Sequence, residues 1–309
     1  MGRCAFLFPG QASQVVGMAC DLYEQHESVR ERFAQADQVL DFKLSELCFQ
    51  GPEERLMQTE VTQPAVFVHS VAAWEVLAMG GQVPVAVAGH SLGEYSALVA
   101  AGALSFEAAL ALVRSRGRLM QEVGVAQPGA MGAVIGLEDE QVLALCAQAA
   151  DTGVIVAANF NAPGQVVVSG QEAAVVRLGE LAQAAGATRF VKLAVSGAFH
   201  SPLMEPVADE MEPLLQAAPL QAPQVPIFTN VSAAPVSDPE ELREHLIRQL
   251  THPVRWTETV RNLAQMGVDR AFEVGPGAVL KGLVRRIERG INVSRAGTDE
   301  ELKAVQKAE

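Results

Sequence analysis

The pentapeptide Gly89-His90-Ser91-Leu92-Gly93 constrains the fold of this chain more than any other segment. An apolar run of strand length, 83–88, comes directly before it, and residues 94–101 after it have the pattern of a helix. Gly-x-Ser-x-Gly between a strand and a helix is typical of a nucleophile elbow, because the glycines permit a sharp turn that lifts the serine hydroxyl clear of the sheet edge. This context predicts an α/β fold and favours Ser91 as a nucleophile over a chance match in an ordinary turn.

The length and charge of the chain limit the classes of protein it can belong to. With 309 residues it can bury a large core and is long enough for a second domain or an inserted subdomain. Hydrophobic residues make up 49% and charged residues 19%, which is typical of a globular chain. The net charge of −13 argues against nucleic-acid binding, which needs clustered Lys and Arg. An acidic partner would need a local basic patch.

The four cysteines are scattered along the chain, without a Cys-x-x-Cys pair. Scattered cysteines fit reduced thiols, so we expect a cytoplasmic location and no metal site. The longest apolar region, 83–104, is interrupted by His90, Glu94 and three glycines and is therefore not expected to span a membrane. The chain also begins without the basic and long apolar regions of a secretory signal.

A change of pattern after residue 126 predicts an inserted subdomain. Residues 127–196 are expected to form strands and helices in the order βαββαβ, the ferredoxin-like arrangement. The predicted elements are strand 129–135, helix 139–149, strands 154–160 and 165–169, helix 172–185 and strand 189–195. Residues 1–126 and 197–309 would then form one larger α/β domain.

Two further helices are predicted near the elbow in sequence. Gln63-Pro64 is expected to open a long apolar helix, since proline is common in a first turn. Ser105 is expected to cap the next helix, which carries Arg114, Arg116 and Arg118. Residues two apart on a helix point to different faces, so these arginines do not form one basic patch. An arginine that faces the interior needs an anionic partner.

A nucleophilic serine requires a base, and the six histidines are the candidates. We expect His26 and His245, among charged residues on helices, to be solvated. His69 lies in an apolar helix and is predicted to be a core residue. His90, inside the elbow, is expected to point away from the nucleophile and to be an orienting or structural residue.

His200 and His252 remain as candidate bases. Both lie where a loop joins an element downstream of the serine, the order in which hydrolase-like folds supply the base. His200 follows a strand and a turn of small residues, which suits a side chain delivered over a cleft, so we favour it. His252, directly before Pro253, is more typical of a turn. No acidic third member can be assigned, and a backbone carbonyl could orient the imidazole equally well.

Segments along nearly the whole chain resemble the malonyl-CoA:acyl-carrier-protein transacylase family, the acyltransferase of type II fatty acid synthesis. Besides the elbow and the two residues after it, the matching segments are 8–14, 62–64, 114–117, 197–200, 229–231, 249–250, 253–256 and 273–277. A set of segments in the family's order is far more specific than the elbow alone. The resemblance implies an α/β-hydrolase-like large domain with an inserted ferredoxin-like subdomain, in agreement with the predicted elements.

The resemblance also implies a role for several residues. Ser91 would be the nucleophile and His200 its base, and the backbone carbonyl of Gln249 would orient His200. The backbone amides of Gln11 and Leu92 would form the oxyanion hole.

Further implied roles concern the acyl group and the first loop. Arg116 would bind the malonyl carboxylate, with Gln63 lining the pocket nearby and Phe199 leaving little room for an α-methyl branch. Where the family usually has a second glycine in the first loop, this chain has Ala12. If that position requires a positive φ, alanine strains the loop that carries Gln11.

The implied reaction transfers the malonyl group of malonyl-CoA to the phosphopantetheine thiol of acyl carrier protein through a malonyl-serine intermediate, with no cofactor of the enzyme's own. The carrier is expected to be acidic, which makes Lys192, Lys281, Arg285 and Arg286 candidates for a local basic docking surface. A solvated helix face explains these residues equally well.

Three other functions compete with this one. A serine esterase or thioesterase would use the same elbow and histidine on water, but it needs neither Arg116 nor the full set of family segments. A transacylase of different acyl specificity in a polyketide-type pathway is a second alternative. An inactive docking partner is disfavoured, because Ser91 and His200 are both present.

Overall fold

The computed structural model describes residues 3–195 and 197–307 and confirms the α/β class. The strands are β1 Arg3–Phe8, β2 Ala86–Gly89, β3 Gly129–Ile135, β4 Ile155–Ala162, β5 Gln165–Gln171, β6 Arg189–Lys192, β7 Ile227–Phe228, β8 Pro235–Val236, β9 Val268–Val274 and β10 Asn292–Ala296. The helices are α1 Cys20–Gln25, α2 Glu27–Val39, α3 Leu44–Gln50, α4 Glu53–Leu56, α5 Thr59–Met79, α6 Gly93–Ala100, α7 Phe106–Ala126, α8 Asp139–Ala149, α9 Glu172–Ala184, α10 Glu205–Ala217, α11 Pro239–Gln249, α12 Trp256–Gln265, α13 Val279–Ile287 and α14 Asp299–Lys307.

The larger sheet has the strand order β10-β9-β1-β2-β7-β8, and its pairs are parallel except for β7 with β8. One face of strand β1 packs against one apolar cluster and the opposite face against a second. Its residues from Cys4 to Phe8 are therefore all buried. Such a strand is a continuous apolar run, which made it recognisable in the sequence. Phe8 pairs with Gly89 at the carboxyl ends of β1 and β2. The loops that follow these strands therefore lie side by side.

Strand β10 was absent from the predicted elements. It lies at the edge of the larger sheet and pairs only with β9 among the described residues. Of its five residues, only Val293 and Ala296 are buried. An edge strand needs few apolar residues, so a polar pattern such as Asn292-Val293-Ser294-Arg295 does not distinguish it from a loop.

The smaller sheet has the strand order β4-β5-β3-β6 with antiparallel pairs, and its elements follow one another in the chain as βαββαβ. Helices α8 and α9 cover one face, where they pack on Val134, Val166 and Val168. Alternation along the strands turns Met131 and Val167 to the opposite face, against the core of the larger unit. The limits 127 and 196 of a separate subdomain stay a prediction, and Ser196 lies outside the described residues.

Helix α5 begins earlier than predicted. It starts at Thr59 with Gln58 as N-cap, so Pro64 lies in its second turn and not in the first. The missing amide of proline costs this helix one interior hydrogen bond. Most residues of α5 are buried, so packing on all sides offsets that loss. Among residues 3–195 and 197–307, no helix combines the length and apolar character needed to cross a membrane.

Helix α7 turns its three arginines to different surroundings, as their spacing indicates. The Oγ atom of Ser105 accepts a hydrogen bond from the amide of Ala108, 3.2 Å away, and so caps the helix as predicted. Arg114 pairs with Asp41 across the surface, and Arg118 pairs with Glu122 one turn along the helix. Arg116 points inward and is 1% exposed. The fold therefore buries one arginine of this series beneath the elbow.

Candidate active site

The elbow is a sharp turn between β2 and α6. Ser91 has a φ of 51°, in the left-handed region that non-glycine residues rarely adopt. A Cβ atom at Gly89 would lie 1.9 Å from the carbonyl carbon of Gly93, and one at Gly93 would lie 2.1 Å from the carbonyl oxygen of Phe8. The turn therefore closes only with glycine at both positions, and it holds the Ser91 side chain at the carboxyl end of the sheet.

Asn230 holds this strained turn from the neighbouring loop. Its Oδ1 accepts a hydrogen bond from the amide of Ser91, 2.6 Å away, and its Nδ2 donates to the carbonyl of Gly89, also at 2.6 Å. The side chain is 2% exposed, so water does not compete for these bonds. Asn230 lies 139 residues from Ser91, so only the fold, and no local pattern, reveals this role.

His200 is the histidine that the structure brings to Ser91. Its Nε2 lies 2.8 Å from Ser91 Oγ, and its Nδ1 lies 2.8 Å from the backbone carbonyl oxygen of Gln249. A carbonyl only accepts, so Nδ1 carries the ring proton and Nε2 is free to accept from the serine hydroxyl. The predicted carbonyl of Gln249 therefore occupies the place that a carboxylate takes in a Ser-His-Asp triad.

Burial keeps His200 uncharged. Desolvation, and then the positive charge of Arg116, lower the pKa of His200 to about 3. The ring is consequently neutral near pH 7 and can accept a proton from Ser91. A bound anion at Arg116 would offset the second cause and raise this pKa, which would make His200 a stronger base when an acidic acyl group is present.

Within the described residues, no histidine other than His200 hydrogen-bonds the Ser91 hydroxyl. His69 is a core residue as predicted, with Nε2 2.7 Å from the Gly297 carbonyl. His90 packs on Trp256 and bonds Asn161 Oδ1 at 2.8 Å, which fits a structural residue. Nδ1 of His252 lies 2.9 Å from the Arg248 carbonyl, in the turn expected for it.

Two expectations about surface histidines need correction. His245 was predicted to be solvated, but it is 7% exposed and its Nδ1 bonds Thr229 Oγ1 at 2.8 Å. It lies on the buried face of α11, and the charges next to it in sequence lie on the outer face. His26 lies between α1 and α2 and contacts Asp299 at 3.0 Å, so it is half-buried instead of solvated.

Arg116 is a buried cation whose hydrogen-bond acceptors are all uncharged. Its guanidinium donates to Gln63 Oε1 at 2.8 Å, to Gln249 Oε1 at 3.0 Å and to Ser91 Oγ at 3.2 Å. Within residues 3–195 and 197–307 no carboxylate accepts a hydrogen bond from it, and its Nε has no hydrogen-bond partner. A buried charge of this kind favours an anion as ligand. The anion would bind within reach of the Ser91 hydroxyl.

A cavity opens in front of these groups, between the larger unit and the smaller sheet. The predicted site residues on its wall are Gln11, Ser91, Leu92, Arg116, Phe199 and His200. Met120, Met131 and Val167 add apolar surface beside them. Gln63, which was expected to line the pocket, is not part of this wall; it lies behind Arg116, and its Nε2 is 3.2 Å from the Met120 sulfur.

The two residues expected to supply the oxyanion hole both lie on the cavity wall. Gln11 follows β1 and Leu92 follows Ser91 at the start of α6, and both residues line the cavity. Within the described part of the chain, neither amide donates a hydrogen bond to another protein group. Unpaired amides at a helix start and an adjacent loop can receive the negative oxygen of a tetrahedral intermediate.

Ala12 has a φ of 76°, so the position that carries glycine in the family does require the left-handed region. Alanine pays for this conformation with about 1–2 kcal/mol of steric strain. We expect Ala12→Gly to raise the free energy of unfolding by about 0.5–1 kcal/mol, because glycine relieves the strain but adds freedom to the unfolded chain. Urea unfolding would measure the change.

Ala144→Gly is the matched control for Ala12→Gly. Ala144 is exposed within α8, where the backbone is an ordinary helix. Glycine at such a position costs about 1 kcal/mol. A loss of stability in both variants would show that the first loop does not strain Ala12.

Comparison with known proteins agrees with this geometry. A family model described as the acyl transferase domain matches residues 5–301. The malonyl CoA-acyl carrier protein transacylase of Escherichia coli strain K12 is 46% identical over 288 residues, which cover 93% of each chain. The structure of an acyl carrier protein S-malonyltransferase from Vibrio cholerae is 47% identical, with a TM-score of 0.95 over 98% of this chain and 100% of that one.

A third similar protein is a malonyl-transacylase solved in complex with its type II PKS acyl-carrier protein. It is 42% identical, and the alignment covers 100% of both chains with a TM-score of 0.97. These matches include both sheets and the whole cavity wall, from Pro9 to Leu283. The chain therefore belongs to the malonyl-CoA:acyl-carrier-protein transacylase family.

Proposed function

We propose that this protein transfers the malonyl group of malonyl-CoA to the phosphopantetheine thiol of an acyl carrier protein, through a malonyl ester on Ser91. The observation that carries the proposal is the Ser91–His200 pair, 2.8 Å apart, beside a buried Arg116 that donates a hydrogen bond to no carboxylate in the described chain. The names of the similar proteins, which are malonyl transacylases, support the same reaction.

The first half-reaction forms the malonyl ester. His200 Nε2 takes the proton of Ser91, and Ser91 Oγ attacks the thioester carbon of malonyl-CoA. The amides of Gln11 and Leu92 hold the oxyanion, and the Gln249 carbonyl stabilises the protonated ring. The carbon–sulfur bond then breaks, and coenzyme A leaves with the proton from His200.

The second half-reaction runs in the opposite direction with a different thiol. His200 takes the proton of the phosphopantetheine thiol, and the sulfur attacks the ester carbon under the same two amides. The bond to Ser91 Oγ breaks, and His200 returns its proton to the serine. The carrier leaves with the malonyl thioester, and the enzyme needs no cofactor of its own.

Arg116 and Phe199 are proposed to determine the specificity for the acyl group. A malonyl carboxylate would give the guanidinium a direct charge-assisted hydrogen bond, which none of its three uncharged acceptors supplies. An acetyl group has no carboxylate, so it would leave the Arg116 guanidinium without such a hydrogen bond. Phe199 is 5% exposed and lies beside His200 on the wall, where its ring limits space for an α-methyl branch.

The main competing function is hydrolysis of the acyl ester by water. An esterase would release the acyl group as a free acid at a rate independent of the carrier. Supplying labelled malonyl-CoA with and without holo acyl carrier protein separates the two functions. We expect most of the label on the carrier, with little free malonate; label found mainly in malonate at saturating carrier would favour a hydrolase.

The carrier is proposed to dock on basic residues around the cavity mouth. Helix α13 lines the cavity with Leu280 and Leu283 and exposes Lys281, Arg285 and Arg286. Lys192, on β6, lies next to Leu193 of the wall, although it forms an ion pair with Glu172. Arg286 also bonds the side chain of Gln165. The three cations of α13 give an acidic protein a basic helix face, where an acidic carrier can bind.

Charge reversal at this surface tests the docking proposal. We expect Arg285→Glu to raise the KM for acyl carrier protein about 10-fold or more at low salt, with a smaller effect at high salt because surface charges are screened. The KM comes from malonyl transfer at several carrier concentrations. Arg177→Glu is the control, since Arg177 is exposed on α9 and pairs with Glu180. A KM equal to that of the control would show that α13 presents a solvated face.

The location of the protein in the cell is proposed to be the cytoplasm. The four cysteines are all free thiols in the structure, which fits a reducing compartment.

A further inference from the structure

Glu94 is a buried carboxylate next to the elbow that the proposed chemistry does not use. It is the second residue of α6 and is 1% exposed. Burial raises its pKa to about 7, which reflects the cost of an ion in the interior. Its Oε2 accepts two hydrogen bonds, from the amide of Asn230 at 3.0 Å and from Gln249 Nε2 at 2.9 Å. Its Oε1 has no partner among the described residues.

Both partners of Glu94 belong to the site. Asn230 holds the backbone of the elbow at the Gly89 carbonyl and at the Ser91 amide. Gln249 orients His200 through its backbone carbonyl, and its side chain lies between Glu94 and Arg116. Glu94 is therefore hydrogen-bonded to both Asn230 and Gln249, the residues that position the nucleophile, the base and the arginine.

The bonds of Gln249 allow its side-chain amide only one orientation. Nε2 donates to Glu94 Oε2 and to the carbonyl oxygen of Ser91, 3.1 Å away, and both of these groups accept. Oε1 consequently faces Arg116, which only donates. If the Gln249 amide were flipped, its oxygen would face the oxygens of Glu94 and Ser91, and its NH₂ group would face the Arg116 guanidinium. Neither arrangement allows a hydrogen bond. A fixed Oε1 holds one edge of Arg116 in place.

We propose that Glu94 is a positioning residue for acyl selection: by accepting from Gln249 Nε2 it turns the Gln249 oxygen toward Arg116, and so keeps the guanidinium aimed at the acyl carboxylate. The assignment rests on the proposed malonyl transfer. It predicts that the acceptor oxygen of residue 94, more than its charge, maintains the preference for malonyl over acetyl groups.

Two substitutions separate the oxygen from the charge. Glu94→Met keeps the length of the side chain but removes both oxygens, so the Gln249 amide can turn away from Arg116. We expect it to lower the ratio of kcat/KM for malonyl-CoA to that for acetyl-CoA at least 10-fold, the effect typical of losing a charge-assisted hydrogen bond. Glu94→Gln keeps one oxygen to accept both bonds, and its ratio should stay within about 3-fold of wild type. A ratio in Glu94→Gln as low as in Glu94→Met would overturn the proposal.

A double-mutant cycle tests the route through Gln249. We expect Gln249→Met to lower the ratio as Glu94→Met does, and the double variant to lower it no further, because both changes remove the same link. Losses that add in the double variant would contradict a shared route. Asn230→Leu is the comparison for the elbow, and it should slow malonyl and acetyl transfer alike.

Folding and activity controls keep the test decisive. Circular dichroism and thermal unfolding identify any variant that fails to fold. If Glu94→Met does not fold, Gln249→Met and Glu94→Gln still test the proposal. A wild-type ratio of malonyl to acetyl kcat/KM in Gln249→Met would overturn it. A wild-type protein that transfers no malonyl group would instead refute the proposed function itself.

Discussion

Replacing Ser91 with alanine is expected to reduce malonyl transfer by about 10⁴-fold or more. Without the hydroxyl no covalent ester can form. His200 then has no serine proton to remove, and no oxyanion forms for the two amides to bind. Transfer is measured as malonyl acyl carrier protein formed from malonyl-CoA under saturating conditions. The fold should survive the change, because the turn depends on Gly89, Gly93 and Asn230 and not on the serine side chain.

Ser96→Ala provides a matched control for that variant. Ser96 lies on α6, one turn after the elbow, and its buried Oγ has no hydrogen-bond partner in the described chain. Removing the Ser96 hydroxyl should leave the rate of malonyl transfer within a few-fold of the wild-type rate. If Ser91→Ala kept a tenth of the wild-type rate, the covalent route through Ser91 would be refuted.

Replacing Arg116 with alanine is expected to reverse the choice of acyl group. The variant loses the only buried cation on the cavity wall of the described chain, and the malonyl carboxylate would then enter an apolar space without a counter-charge. We expect kcat/KM for malonyl-CoA to fall roughly 10²–10³-fold, while that for acetyl-CoA is unchanged or higher. Parallel assays with the two thioesters measure the ratio.

The control for Arg116→Ala lies two residues away. Arg114 is on the same helix but pairs with Asp41 at the surface. Arg114→Ala removes an equal charge without touching the cavity, so its acyl preference should equal that of wild type. An equal loss of malonyl and acetyl transfer in Arg116→Ala would show a structural role and would remove the explanation of specificity.

The sequence predicted those parts of the fold that depend on local patterns. The apolar run before Ser91 and the glycines around it predicted the strand, turn and helix that the structure contains. The limits of β3 and α8 were also correct, since a glycine opens the strand and a capping box on Glu138 starts the helix. The inward turn of Arg116 agrees with its spacing from Arg114 and Arg118.

Features that depend on distant residues were not predictable in this way. Asn230 and Ser91 are 139 residues apart, and Gln249 and Glu94 are 155 apart, so no local pattern joins them. His245 looked exposed because its sequence neighbours are charged, yet α11 turns it inward to Thr229. Gln63 was expected on the wall, whereas the structure places it behind Arg116, from which its Oε1 accepts a hydrogen bond. Such errors arise where tertiary packing decides which face of an element is buried.

Intact-protein mass spectrometry tests the central claim, a malonyl ester on Ser91, most directly. The protein is mixed briefly with malonyl-CoA, with acetyl-CoA and Ser91→Ala as controls, and is then chased with holo acyl carrier protein. We predict a malonyl adduct that forms with malonyl-CoA, is absent in Ser91→Ala and moves to the carrier during the chase. An adduct that persists in Ser91→Ala, or one that is lost to buffer before the carrier is added, would contradict this account.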